Sequence, residues 1–263
     1  MADPILRVTP IQLDIVWENK LENLKKAHDY ISARYNETDI FVLPEMFSTG
    51  FTMNSQNLAE TIQGETITTL KSWAKQYNIA ICGSFIAKDK NKNNHYNRGF
   101  FISHEDEYYY DKRHLFRMGE EPKFFSSGDK RLIFNYKGFN ICLLICYDLR
   151  FPVWARNINN EYDLLIYTAN WPSSRNDVWN TLLKARAIEN MCYVCGVNRF
   201  GIDGNGLEYD GYSKVLNAKG EELTSICHCE DAETITLSKE DLNKFRTKFP
   251  VWKDADKFEI KIN

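Results

Sequence analysis

Three chemically reactive side chains each follow directly on an apolar or aromatic segment of the sequence. Glu45 follows FVLP, Lys112 follows YYYD, and Cys146 ends the apolar part of LLICYDLRFP. Each residue alone has a simpler interpretation, as a helix cap, a solvated strand end or a small buried core residue, since free cysteine is among the most buried residue types. Together they are the three groups that cleavage of an amide by a thiol requires.

That chemistry assigns a different task to each group. The thiolate attacks the carbonyl carbon. The carboxylate takes the thiol proton and returns it to the leaving nitrogen. The fixed ammonium stabilises the negative charge that develops on the carbonyl oxygen. Because side chains at strand ends meet in a cleft of an α/β fold, we expect the three groups to lie together.

The apolar patterning that must position these groups predicts an α/β fold whose sheet mixes parallel and antiparallel pairs. Helical spacing favours helices over about 19–34, from Ile67 to Tyr77 and over 176–190, and Ser238 with Asp241 resembles a capping box that opens a last short helix. Strands are predicted over 6–13, 38–44, 79–87, 98–103, 108–112, 131–136, 139–146, 162–170 and 191–198.

The composition narrows the class of protein. The 263 residues, with 43% hydrophobic and 26% charged residues, contain no repeat or linker, which indicates one domain over 1–263. A net charge of −3 without a basic block argues against nucleic acid as a partner. No apolar run approaches the ~20 residues of a membrane helix, and the start lacks a signal-peptide layout. We therefore expect a cytoplasmic protein whose seven cysteines are reduced.

Three other interpretations of the sequence remain: a cysteine protease, an inactive binding protein and a zinc-binding protein. A cysteine protease pairs its thiol with a histidine, but only His228 of the five histidines follows Cys146. A binding protein that keeps the fold without activity is disfavoured by the complete Glu, Lys and Cys set. A zinc site is the third alternative, although an apolar strand would point Cys192 and Cys195 to opposite faces. Its possible ligands are Cys192, Cys195, Cys227, His228 and Cys229.

The motifs around the three reactive residues carry a family resemblance. The chain resembles the nitrilase superfamily of carbon–nitrogen hydrolases, and within it the ω-amidase branch, over nearly its whole length. The motifs are LPEMFSTGF (43–51), YDKRHLF (110–116) and CYDLRFP (146–152), supported by NWP (170–172) and ARAIEN (185–190). The resemblance implies a four-layer αββα sandwich, with two mixed β-sheets packed face to face and helices outside.

The resemblance also assigns roles to the motif residues. It implies that Glu45 is the general base, Lys112 the catalytic lysine and Cys146 the nucleophile. The backbone N–H of Tyr147 would then complete the oxyanion site beside Lys112. A second family glutamate corresponds to one of two adjacent residues, Glu120 or Glu121, and counting back from the Ser-Gly-Asp at 127–129 favours Glu121.

The ω-amidase branch implies a substrate class, which is the terminal amide of small 2-oxo acid amides such as 2-oxoglutaramate and 2-oxosuccinamate. A nitrile, an N-carbamoyl compound or another small amide is the alternative. The resemblance implies a homodimer and neither a metal nor an organic cofactor. Relatives often carry histidine where this chain has Val178, before Trp179, so the pocket need not be identical.

Such a substrate is an anion, and an arginine fork matches a carboxylate with two parallel hydrogen bonds. Arg150 and Arg175 are the candidates, and Asn170 and Trp171 are further candidates for lining the same pocket. Arg150 has an alternative role in a structural pair with Asp148.

Overall fold

The computed structural model describes residues 3–90, 94–224, 226 and 228–261. The helices are α1 (Lys20–Arg34), α2 (Ser55–Leu58), α3 (Glu65–Tyr77), α4 (Pro152–Ala155), α5 (Asn176–Asn190) and α6 (Lys239–Lys248). The strands are β1 (Ile5–Gln12), β2 (Ile40–Val42), β3 (Ala80–Lys88), β4 (His95–Ile102), β5 (Glu107–Asp111), β6 (Ile133–Tyr136), β7 (Phe139–Ile145), β8 (Leu164–Ala169), β9 (Tyr193–Asn198), β10 (Phe200–Ile202), β11 (Glu208–Asp210), β12 (Lys214–Leu216), β13 (Asp231–Ala232) and β14 (Ile235–Ser238).

The main strands form two mixed sheets. The first has the order β13-β1-β2-β3-β4-β5, with β14 also paired to β1. Within it, β1, β2 and β3 are parallel, while β4 and β5 continue antiparallel. The second sheet has the order β12-β9-β8-β7-β6, with β7, β8 and β9 parallel. The prediction of mixed sheets is confirmed.

The two sheets pack face to face. Apolar side chains from both, such as Val8 and Val42 of the first and Leu143 of the second, share one buried core. The contact is close at Gly99 of β4, where an added Cβ would lie 3.0 Å from Leu143 Cδ2. Each fully buried Leu or Val contributes roughly 1.5–3 kcal/mol, so this interface is a main source of stability.

Helices cover the outer faces of both sheets. On the first sheet, α1 and α3 bury Leu24, Ile31 and Leu70 in a second core. On the second sheet, α5 lies so close to β9 that a Cβ on Gly196 would lie 2.5 Å from Leu183 Cδ1. The four-layer αββα arrangement is therefore confirmed. None of the helices in the described ranges is both long and apolar enough to cross a membrane.

Several predicted boundaries shift where the backbone turns. The strand predicted to include Cys146 ends at Ile145, because Cys146 has φ +43° and begins a 3-10 turn. The strand predicted from Met191 begins at Tyr193, because Met191 ends α5 in the left-handed conformation. Ser238 caps α6 as predicted, with its hydroxyl accepting from the Asp241 N–H. The short strands β10 to β14 were not predicted, since two to four residues show no clear periodicity.

Candidate active site

The three predicted reactive residues lie at strand ends that converge between the two sheets. Glu45 follows β2, Lys112 directly follows β5, and Cys146 directly follows β7. Glu45 and Lys112 expose at most 1% of their surface to solvent, whereas Cys146 exposes 8%. The thiol is thus the member of the set that reaches a cavity, and the two charged groups lie behind it.

Cys146 stands on a sharp elbow between β7 and the 3-10 turn Cys146–Arg150. Its φ of +43° lies in the left-handed region, which costs a non-glycine residue about 1–2 kcal/mol. Asp148 stabilises the elbow by accepting the Ile145 N–H at 3.0 Å. The Cys146 Sγ lies 3.9 Å from the Asn170 carbonyl oxygen, to which it donates.

The Lys112 ammonium lies between two buried carboxylates. Its Nζ donates to Glu45 Oε1 at 2.8 Å and to Glu121 Oε2 and Oε1 at 3.0 and 3.2 Å. Of the two adjacent glutamates that the sequence left open, Glu121 is the one in this cluster. Glu120 is exposed and pairs with Lys123 on the surface.

Asn97 is a member of this cluster that the sequence analysis missed. Its Nδ2 donates to Glu45 Oε1 at 2.7 Å and to Glu121 Oε1 at 3.1 Å, while its Oδ1 accepts the Ser84 hydroxyl at 3.0 Å. The sequence carries one weak signal: strand alternation places Asn97 on the same face of β4 as the buried Gly99 and Phe101. A buried amide on such a face needs polar partners.

Burial and charge set the protonation of the cluster. Burial alone would lower the pKa of Lys112, but Glu121 and Glu45 outweigh it and raise that pKa above its ordinary value, so the ammonium stays charged. Burial raises the pKa of Glu121 despite the opposing effect of Lys112. Burial, reinforced by Glu45, raises the pKa of the Cys146 thiol well above its ordinary value. The resting thiol is therefore protonated, and its attack on a carbonyl requires a base.

A cavity of about 680 Å³ opens above the thiol. Aromatic and apolar side chains form much of its wall, which is typical of small-molecule sites. Tyr147 lies in this wall beside Cys146, together with the four predicted substrate-binding candidates: Arg150, Asn170, Trp171 and Arg175. Val178, the position at which the sequence suggested a different pocket, is not among the lining residues and packs against the core.

The two predicted arginines extend over aromatic rings in the cavity. The Arg150 guanidinium lies 5.2 Å from the Trp171 ring centroid, and the Arg175 guanidinium lies 5.4 Å from that of Phe116. In the described part of the chain, neither guanidinium forms an ion pair with a carboxylate. The alternative pairing of Arg150 with Asp148 is wrong, because the Asp148 oxygens accept from four other donors.

The described cysteines outside the cavity form no metal site. Cys192 and Cys195 are fully buried core thiols, and within the described ranges no group of three or more His, Cys, Asp and Glu side chains is placed to hold a metal ion. Cys227, one of the possible ligands, lies outside the described residues. Cys229 is disulfide-bonded, so the expectation that all the cysteines are reduced was wrong at that residue.

The chain is similar to known carbon–nitrogen hydrolases in both sequence and structure. The carbon-nitrogen hydrolase family matches residues 7–244. The chain is 40% identical to the omega-amidase YafV of Escherichia coli K12, over 98% of this chain and 99% of that protein. It is 32% identical to a 2-oxoglutaramate amidase of Bacillus subtilis, over 95% and 97% of the two chains. A CN-hydrolase superfamily protein from Xanthomonas campestris, solved with an arsenic adduct in its active site, superposes with a TM-score of 0.95 at 36% identity, covering 99% of this chain and 100% of that one.

Proposed function

Because this chain belongs to the carbon–nitrogen hydrolase family and is thus a hydrolase of carbon–nitrogen bonds, we propose that it is an ω-amidase. Its proposed substrates are small 2-oxo acid amides with a terminal primary amide, such as 2-oxoglutaramate and 2-oxosuccinamate. The products are the 2-oxo dicarboxylic acid and ammonia. Similarity to the omega-amidase and to the 2-oxoglutaramate amidase supports this substrate class.

One structural observation supports an anionic substrate. The cavity above Cys146 holds two guanidinium groups that have no carboxylate partner in the described residues. A cation without a partner is a natural site for an anionic ligand, and an arginine binds a carboxylate through two parallel hydrogen bonds. An acid with an amide at its far end would then place its carboxylate at an arginine and its amide at the thiol.

The first half of the proposed reaction forms a thioester. Glu45 accepts the proton of the Cys146 thiol as the sulfur attacks the amide carbon. The carbonyl oxygen becomes an oxyanion, which Lys112 and the backbone N–H of Tyr147 stabilise. Collapse of this intermediate breaks the C–N bond, and Glu45 passes its proton to the nitrogen, which leaves as ammonia. The acyl group remains on the sulfur.

The second half hydrolyses the thioester. Glu45 accepts a proton from a water molecule, which attacks the thioester carbon. The same oxyanion site stabilises the second tetrahedral intermediate. Collapse breaks the C–S bond and returns a proton to the sulfur, which regenerates Cys146 and releases the carboxylic acid. Glu121 and Asn97 hold the Lys112 ammonium and the Glu45 carboxylate in place through both halves.

Steady-state kinetics on a matched panel test the substrate class. The panel holds 2-oxoglutaramate, 2-oxosuccinamate, the neutral methyl ester of 2-oxoglutaramate, a small nitrile and an N-carbamoyl compound, with release of ammonia as the readout. We expect the two oxo acid amides to give the highest kcat/KM. Equal hydrolysis of the acid and its neutral ester at the amide, or preference for the nitrile or the N-carbamoyl compound, would leave only a carbon–nitrogen hydrolase of another substrate class.

We also infer a homodimer and a cytoplasmic location, both of which rest on the resemblance and composition of the sequence. Light scattering coupled to size-exclusion chromatography measures the mass in solution. A mass near twice 30.8 kDa is the expected result, and a single-chain mass would contradict the dimer.

A further inference from the structure

Asp148, two residues after the nucleophile, is a buried carboxylate that the reaction scheme does not use. Its side chain is fully buried, and its two oxygens accept four hydrogen bonds. Oδ1 accepts the His114 N–H at 3.0 Å and bonds the His114 ring Nδ1 at 2.8 Å. Oδ2 accepts the Ile145 N–H at 3.0 Å and the Tyr110 hydroxyl at 2.8 Å.

The four donors come from the two segments that carry reactive groups. Tyr110 and His114 lie two residues before and two residues after Lys112, and Ile145 immediately precedes Cys146. Asp148 is thus hydrogen-bonded to residues that flank Lys112 in the sequence on both sides, and to the residue before Cys146. The segments belong to different sheets, because Lys112 follows β5 of the first and Cys146 follows β7 of the second.

We propose that Asp148 is a positioning residue, which fixes the Lys112 ammonium relative to the Cys146 thiol by tying their two segments to one carboxylate. The proposal rests on the roles proposed above for Lys112 and Cys146. A misplacement of reacting groups by about 1 Å can cost about 10²-fold in rate. An anchor that joins two sheets is therefore expected to act on the rate of the chemical step.

The carboxylate is specifically suited to this task. An ionised aspartate only accepts hydrogen bonds, and its two oxygens together offer four acceptor positions. Here each of the four acceptor positions of Asp148 is taken by one hydrogen bond. An asparagine has the same shape, but its NH₂ would face two of these donors. Asp148→Asn therefore removes two of the four hydrogen bonds of the anchor with little change in volume.

The elbow has a second attachment that helps it to stay folded in such a variant. Arg186 of α5 is buried, and its guanidinium donates to the Leu149 carbonyl at 2.6 Å. This bond does not involve Asp148. Loss of Asp148 therefore weakens the link between the lysine segment and the elbow, while the elbow remains attached to α5.

Asp148→Asn is compared with Asp163→Asn as the matched control. Asp163 is also buried, at 2% exposure, and accepts from the Asn140 N–H, Lys239 and Arg246, but it is not among the residues that line the cavity. Both variants lose a buried carboxylate. We expect both to lower Tm, and only Asp148→Asn to lower kcat per folded molecule, by about 10²-fold with KM changed less than threefold. Equal kcat values for the two variants and the parent would overturn the proposal.

His114 provides a second pair of variants in case Asp148→Asn fails to fold. Its side chain is partly exposed, and its ring stacks on Phe151 at 3.8 Å between centroids. His114→Phe keeps the stacking but loses the ring N–H to Asp148, whereas His114→Asn retains a donor close to the position of Nδ1. We expect kcat to fall about tenfold in His114→Phe and to recover in His114→Asn. No loss in His114→Phe, or an equal loss in both, would contradict the proposal.

Alkylation of Cys146 by iodoacetamide separates this proposal from the proposed substrate. The sulfur displaces iodide, and the thiol proton is released with it, so the reaction needs no amide hydrolysis. Mass spectrometry gives its rate in the parent, Asp148→Asn and Asp163→Asn. Slower labelling in Asp148→Asn alone supports positioning, even if the parent hydrolyses no 2-oxo acid amide. Equal labelling in all three proteins counts against positioning, whatever the substrate panel shows.

Discussion

Asn170 binds Glu45 through both its backbone and its side chain. Its backbone N–H donates to Glu45 Oε2 at 2.9 Å, and its Nδ2 donates to the Glu45 carbonyl oxygen at 2.6 Å. Oε1 of the same carboxylate is taken by Lys112 and Asn97, so both oxygens of Glu45 are fixed. Asn170 was predicted to bind substrate, and the structure gives it an additional contact that orients the proposed base.

Replacement of the nucleophile should abolish turnover without unfolding the protein. In Cys146→Ser the hydroxyl is hardly ionised near neutral pH and is a far weaker nucleophile than a thiolate. We expect no measurable release of ammonia and a circular dichroism spectrum like that of the parent. Cys142→Ala is the control, because Cys142 is a buried core thiol on β7, the strand that leads to Cys146. It should lose stability and keep its activity. Parental activity in Cys146→Ser would rule out the thioester route.

Loss of either charged partner should slow the reaction by several orders of magnitude. General acid–base catalysis contributes ~10²–10⁴-fold, and an oxyanion donor contributes ~10²–10³-fold. We therefore expect large losses of kcat in Glu45→Gln and Lys112→Ala. Lys112→Ala also leaves two buried carboxylates without their cation, which should cost about 3–5 kcal/mol of stability.

The rates of these two variants are measured per folded molecule, with Tm recorded for each. Lys123→Ala is the matched control for the lysine, because Lys123 pairs with Glu120 on the surface. That variant should resemble the parent in rate and stability. A near-parental kcat in Glu45→Gln or Lys112→Ala would remove that residue from the proposed mechanism.

The arginines of the cavity should distinguish an acid from its neutral analogue. Hydrogen bonds to charged groups contribute about 1.5–3 kcal/mol, so loss of a carboxylate anchor should lower kcat/KM for the oxo acid amide by roughly 10–100-fold. We expect this loss in Arg175→Ala or Arg150→Ala, with the methyl ester almost unaffected. Arg117→Ala, an exposed arginine outside the cavity lining, serves as control. Equal losses for acid and ester would assign that arginine a structural role.

Asp39 should make the stability of the protein depend on acidic pH. It pairs with Arg7 of β1 at 3.1 Å and with Lys137, between β6 and β7, at 2.5 Å, so it links the two sheets. Burial would raise the pKa of Asp39, but hydrogen bonds from Arg7 and Lys137 outweigh it and hold that pKa below its ordinary value of 3.8. A lowered folded-state pKa stabilises the protein fully above the unfolded pKa, and this stabilisation is lost as pH falls through the folded pKa.

Asp39→Asn should therefore lower the free energy of unfolding at pH 7 by about 1–3 kcal/mol. The difference from the parent should shrink as the pH falls below 3.8. Urea unfolding at several pH values measures it, with Asp129→Asn, an exposed aspartate, as control. A difference that stays constant from pH 7 to the acidic limit of folding would contradict the linkage.

The sequence predicted the parts of the molecule that rest on local pattern and on motifs. Amphipathic spacing located α1, α3 and α5, and the motifs identified Glu45, Lys112 and Cys146 as one set. Asn97 escaped because its role depends on a contact with Glu45, 52 residues away, that no periodicity encodes. The role of Asp148 escaped for a related reason, since its donors come from two different sheets. Long-range polar contacts of this kind become visible only when the sheets are packed.

The left-handed backbone at position 146 implies a trade-off between stability and function. Glycine adopts φ near +43° without steric penalty, whereas a residue with a Cβ pays about 1–2 kcal/mol there. The residue after Glu45, Met46, is also left-handed, with φ +45°, so two of the three strand exits that carry reactive groups share this strain. Selection for thermostability alone would favour glycine at position 146, whereas at position 46 the buried Met46 side chain contributes more to stability than the strain costs. A directed-evolution experiment that screens for folding and not for turnover should therefore lose the thiol early.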